Sequence, residues 1–187
     1  MHLIEPFYLW RDIYNSEEDP NALNYGAEYS EFHFTNKIYN YLIHPQWDSF
    51  GSETLFYKQI YVDYEQEFCV LEFIGEWNDA INNDVMMLKT ELIDLLIQDG
   101  ITNFILIFEN VLNFHGDLDD YYEEWREEVD GNIFVINALD HVLSEMDRHK
   151  LDHALRYGGV LNEIDWRATK PDELLELIEE KYLEENL

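Results

Sequence analysis

The chain has 187 residues with 11 Lys and Arg against 41 Asp and Glu, a formal net charge of -30. That balance excludes a reader of phosphate backbones, which needs clustered basic residues, and argues against binding at an anionic membrane surface. Hydrophobic residues at 47% and aromatics at 16% still supply enough apolar surface to offset chain ordering, so the sequence reads as folded and not as an acidic tail.

At this length one core and one domain are expected over residues 1–187, with 1–50 as an aromatic arm and β-hairpin extension and 54–183 as an α/β body. The opening MHLIEPFYLWRD is too short in its apolar part for a signal peptide. No apolar run approaches a membrane span, so a cytoplasmic location is expected. Cys69 is the only cysteine and fits a reducing compartment. The partners expected are a basic protein surface and a second copy of the chain as a homodimer, without nucleic acid, membrane span or cofactor.

In chain order, residues 1–27 form an irregular arm punctuated by Pro6, Pro20 and Gly26, expected to pack Phe7, Tyr8, Trp10 and Tyr14 onto the body. From Tyr29 to Ile43, alternation around Thr35-Asn36-Lys37 predicts a β-hairpin. Thr54 to Asp63 is a strand, joined by a short turn to a second strand that begins at Phe68. The short connection makes the two antiparallel neighbours. The second strand, FCVLEFIGEW, is apolar on nearly every position, as a strand buried on both faces requires. Val85, Leu88, Leu92, Leu95 and Leu96 then recur at helical spacing up to Gly100, and Phe104 to Phe108 is a further buried strand. Strand, helix and strand together predict a parallel βαβ crossover.

Residues 109 to 116 read as a loop. A helix is expected from Asp117 to Val129, capped by Asp117, with Leu118, Tyr121, Tyr122, Trp125 and Val129 on one face and carboxylates on the other. Asn132 to Asn137 is a third parallel strand, Leu139 to Tyr157 a helix, and Val160 to Ile164 a last strand. Pro171 starts a terminal helix with Leu174, Leu175, Ile178 and Leu183 as its stripe. The fold class is α/β with a mixed sheet, antiparallel N-terminal strands leading into a parallel βα series with flanking helices.

That order, carried by VLEFIGEW, by FILIFENVLNF with its following helix, by NIFVIN and by DELLELIEEKYL, resembles the STAS-like fold of sulfate-transporter and anti-sigma-factor-antagonist domains, including the SpoIIAA-like branch. The resemblance spans about Thr54 to Leu183, and the whole chain looks like an uncharacterised bacterial family. It implies a regulatory, protein-binding role. Antagonist-type members carry a phosphorylated serine at the start of the helix after the third strand. Gly116 and Asp117 stand there in this chain, so the phospho-switch is not implied.

Two constellations are candidates for chemistry. Trp77, Asn78 and Asp79 follow the carboxyl end of the central strand, where α/β proteins bind ligands, and with Asn110, Asn113 and His115 would cap a small pocket. The competing reading is loop and N-cap chemistry with Trp77 as a packed anchor. Glu145, His149 and His153 fall at i, i+4 and i+8 of the expected helix, a spacing that can hold a transition metal, against the plainer reading of surface histidines beside solvated carboxylates. No glycine-rich phosphate loop, HExxH, CxxC or nucleophile elbow is present. The function expected is a non-catalytic regulatory or interaction module meeting a basic partner through the acidic helix. A small-ligand or lipid-binding protein and a metal-dependent enzyme using the histidine pair are the alternatives.

Overall fold

The computed structural model of the chain describes residues 4–117 and 120–186. Its main sheet has four strands in the order β3-β4-β5-β6, with β3 at Leu55–Asp63, β4 at Phe68–Asn78, β5 at Asn103–His115 and β6 at Ile133–Ile136. β3 pairs antiparallel with β4, while β4 with β5 and β5 with β6 are parallel. The mixed α/β class expected from the apolar runs is therefore the observed one. Every residue of β4 is buried, because its two faces supply two cores. Cys69, Leu71 and Phe73 join the larger core with Leu88, Leu96, Trp125 and Met146. Phe68 and Val70 join the opposite one with Trp10, Ile105, Phe134, Trp166 and Ile178.

The crossover from β4 to β5 comprises α1 (Asp79–Asn82), α2 (Asp84–Leu88), a π turn over Lys89–Ile93 and α3 (Asp94–Gln98). Val85, Leu88, Leu92 and Leu96 are buried as their spacing predicts, whereas Leu95 is 37% exposed. Asn83, at φ 56, interrupts what reads as one helix. The π turn carries Lys89 inward, where it meets Asp94 and, at 2.6 Å, Glu128 of the next helix.

Several expected boundaries move. β5 continues through residues 109–115, expected as loop, because the carboxyl end of β4 extends alongside and pairs with it as far as Asn78 and His115. Helix α4 spans Tyr121–Glu128 with Asp120 in the cap position, so Asp117 is not its cap. Leu118 and Asp119 of the expected helix lie outside the described residues. Helix α5 (Asp140–Arg148) stops well short of Tyr157, since Lys150 adopts φ 56 and a 3-10 turn follows over Leu151–His153. That reversal buries Leu151, Ala154 and Leu155 and brings Arg156 to the edge of β6. With that edge met by Arg156, the strand expected at 160–164 is a 3-10 turn over Gly159–Glu163. The terminal helix α6 (Leu174–Glu185) follows Pro171 as expected.

The N-terminal hairpin is smaller than its alternation predicts: β1 (Lys37–Ile38) and β2 (Tyr41–Leu42) close around Tyr39, and Phe32 is 86% exposed. Ile38 and Ile43 cover a third small core with Trp47, Phe56 and Ile74. In the arm, Phe7, Trp10 and Trp166 meet edge to face with centroids 4.8 to 5.6 Å apart, whereas Tyr8 stays outside the core. Gly75, at φ +122, lies so close to the Thr54 carbonyl that a Cβ would collide with it and with Ile38. Gly75→Ala is expected to cost about 2–3 kcal/mol in chemical denaturation, from strain and displacement of β3 together.

Candidate functional site

The extended carboxyl ends of β4 and β5 hold most of the polar residues that sequence spacing picks out, and packing distributes them to different tasks. Trp77 is 1% exposed and stacks between Phe114 and Tyr122, at 5.8 and 6.5 Å. Asn78 is the N-cap of α1, accepting the Ile81 N–H at 3.0 Å, while its own N–H is held by buried Asp84 at 2.7 Å. Both follow the cap-and-anchor reading. Asn113 and His115 are exposed, and His115 lies 3.7 Å from Glu76, which Tyr39 also meets. Of the six residues, Asp79 lines one cavity and Asn110 another, on the opposite face of the sheet.

Asp79 is different. Its Oδ1 accepts from Trp77 Nε1 and the Val85 N–H, each at 2.9 Å, and its Oδ2 from the Tyr122 hydroxyl at 2.6 Å. Burial lifts its pKa to about 7 despite those three donors. It forms the floor of an open cleft of about 590 Å³ between α1 and α4, whose walls include Asp117, Asp120 and Glu124 together with Ile81 and Tyr121. No basic residue lines that cleft among the described residues.

A second site lies on the opposite face of the sheet. Glu72, in the middle of β4, is 1% exposed and accepts the Phe7 N–H at 2.8 Å on Oε2. Burial pushes its pKa to about 7, with the Phe7 N–H and Arg167 pulling the other way. Neighbouring Glu109 accepts from Asn137 at 3.0 Å, Trp166 Nε1 at 2.9 Å and Arg167 at 2.6 Å. Burial alone would raise Glu109, but these three donors and the Arg167 charge outweigh it and hold the group below the usual carboxylate range. Two adjacent carboxyls are thus driven apart, the condition acid–base pairs need. A cavity of about 220 Å³ beside Glu72 is bounded by residues 4–9, Asn110 and Arg167. Of the candidate ligand and metal residues picked out in the sequence, Asn110 alone lines it, beside Phe7 and Tyr8 of the aromatic arm. The signal available was Glu72 itself, a charge inside an otherwise apolar strand.

The helical metal set does not assemble. His149 Nε2 lies 3.3 Å from Glu145 Oε1, and the His149 ring packs against Gly116. His153 stands beyond the end of α5, where its Nδ1 is 2.7 Å from the Lys150 carbonyl. Among the described residues no group of three His, Cys, Asp or Glu side chains is placed to hold a metal ion. Nor is any described helix long and apolar enough to cross a membrane.

A scan against protein-family models finds no match to the chain, and a search of curated proteins finds no significant similarity.

Proposed function

We propose that the chain is a non-catalytic cytoplasmic interaction module of STAS-like type, which receives a basic protein segment in the acidic cleft between α1 and α4. The observation carrying this reading is that cleft: a concave surface at the carboxyl end of the sheet, walled by Asp79, Asp117, Asp120 and Glu124, with Ile81 82% exposed at its rim. Carboxylates supply attraction and orientation for Lys and Arg side chains, while Ile81 and Tyr121 offer apolar contact for their methylene stems. The strand order β3-β4-β5-β6, antiparallel then parallel, supports the STAS-like assignment.

Calorimetric titration with a Lys/Arg-rich peptide tests it. Asp120→Asn with Glu124→Gln removes two exposed charge partners and should weaken binding about fivefold to thirtyfold. Glu176→Gln with Glu180→Gln, on α6, removes the same charge elsewhere and should leave affinity within about twofold. Equal losses in the two variants would reduce the interaction to the net charge of -30 and remove the cleft from the account.

A further inference from the structure

The cavity under residues 4–9 has the features of a built site and stands independently of the acidic cleft, on the other face of the sheet. Two polar groups line it with hydrogen-bonding capacity unused among the described residues. Glu72 uses Oε2 for the Phe7 N–H, and its Oε1 has no donor among the described residues. The Asn110 amide likewise makes no side-chain hydrogen bond among them. Glu72 lines the cavity, so its Oε1 is placed to take a donor from outside the chain. Opposite these groups the wall is apolar, formed by Phe7, Tyr8 and Leu9.

The charge around the cavity selects the ligand. Among the described residues Arg167 is the one basic residue lining it, and that charge is taken up by Glu109 at 2.6 Å while the guanidinium stacks over Trp166 at 4.2 Å. A ligand anion would find a compensated arginine, a second carboxyl and the repulsion of a chain at -30. A ligand cation would find the open oxygen of Glu72 and the carbonyl of Asn110. Among the described residues no three His, Cys, Asp or Glu side chains are placed here to hold a metal ion. The volume of about 220 Å³ admits a small molecule and no extended chain.

We propose that this cavity binds a small organic amine, its ammonium group received by Glu72 and Asn110 and its apolar body lying against Phe7, Tyr8 and Leu9. Burial already places Glu72 near a pKa of 7, so an ammonium at Oε1 needs only a modest bias to draw the group into its carboxylate form. Residues 4–9 then act as a strap, fastened to the site through the Phe7 N–H.

Calorimetry with 2-phenylethylamine as the probe, and phenylacetate as its charge-reversed counterpart, reads the proposal. The expected result is saturable binding of the amine, weak or absent binding of the acid, and a loss of tenfold or more on Glu72→Gln. That substitution retains an acceptor for Phe7, and a single cooperative unfolding transition would show that the fold survives. Asn110→Ala, at a half-buried position, should weaken the amine several-fold. The α4 pair Asp120→Asn with Glu124→Gln should leave it unchanged, which keeps this site separable from the cleft. Preference for phenylacetate, indifference to both Glu72→Gln and Asn110→Ala, or no amine binding at millimolar concentration would each overturn the assignment.

Discussion

Raising the pH from 5 to 8 at constant salt is expected to destabilise the fold by about 5 kcal/mol through two carboxyls, Glu72 and Asp79. Both are lifted to about 7 in the native state, foremost by burial. In the unfolded chain they ionise near the ordinary carboxylate values, so across this window the native state binds more protons than the unfolded one. The stability they contribute is complete below about pH 4 and is lost as pH rises through about 7. Glu17 and Glu109 have lowered values and act the other way, losing their contribution only at more acidic pH. Self-repulsion of the carboxylates has the same sign as the main effect, but salt screens it and leaves the two buried groups largely untouched. Urea unfolding at stepped pH values should show the slope, and Glu72→Gln with Asp79→Asn should flatten most of it. Asparagine at 79 can still accept from Trp77 and Val85 and donate to Tyr122. An undiminished slope in the double variant would assign the pH dependence to surface repulsion or to Asp48 and Asp84, whose values burial also raises.

Lys58→Met is expected to cost about 3–5 kcal/mol and to expose residues 16–29 to proteolysis. Lys58 lies in β3, 3% exposed, and its Nζ donates to Glu17 at 2.8 Å and to Tyr29 and Asp48 at 3.1 Å each. Tyr29 and Asn24 also donate to Asp48, so one buried cation fastens three points of an otherwise irregular segment to the sheet. Removing it strands Asp48, whose pKa burial already raises although Lys58 attracts it. Combining Lys58→Met with Asp48→Asn should recover part of the loss, because the uncompensated charge goes as well. A single-variant cost below about 1 kcal/mol would mean that the pair is hydrated and the segment held by other contacts.

The legible part of the fold is the part written in apolar periodicity. FCVLEFIGEW, the Val85-Leu88-Leu92-Leu96 stripe and Phe104 to Phe108 predict β4, the crossover and β5, because two-sided burial leaves few other arrangements. Polar stretches misled where tertiary pairing overrides composition. Glu109, Asn110 and Asn113 read as loop, yet β5 runs on through them, with Asn110 paired to Ile74 and Asn113 to Glu76 of β4 across two register shifts. MDRHKLDHAL keeps helical composition through the point where Lys150 turns left-handed, and neither glycine nor proline marks the stop. Of the candidate residues, Asp79 does line the acidic cleft, and Trp77 serves the core. Glu72 was visible as a lone charge in a buried strand, but its grouping with Phe7, Glu109 and Arg167 joins four segments far apart in sequence, and nothing local encodes that.

A basic partner docked in the acidic cleft would touch the residues that line it. Amide chemical-shift mapping with a Lys/Arg-rich peptide tests it most directly. Perturbations are expected at Ala80, Ile81, Asn83, Tyr121 and Glu124, fading together as salt rises. Perturbations centred on α6, or spread evenly over the acidic surface, would contradict it.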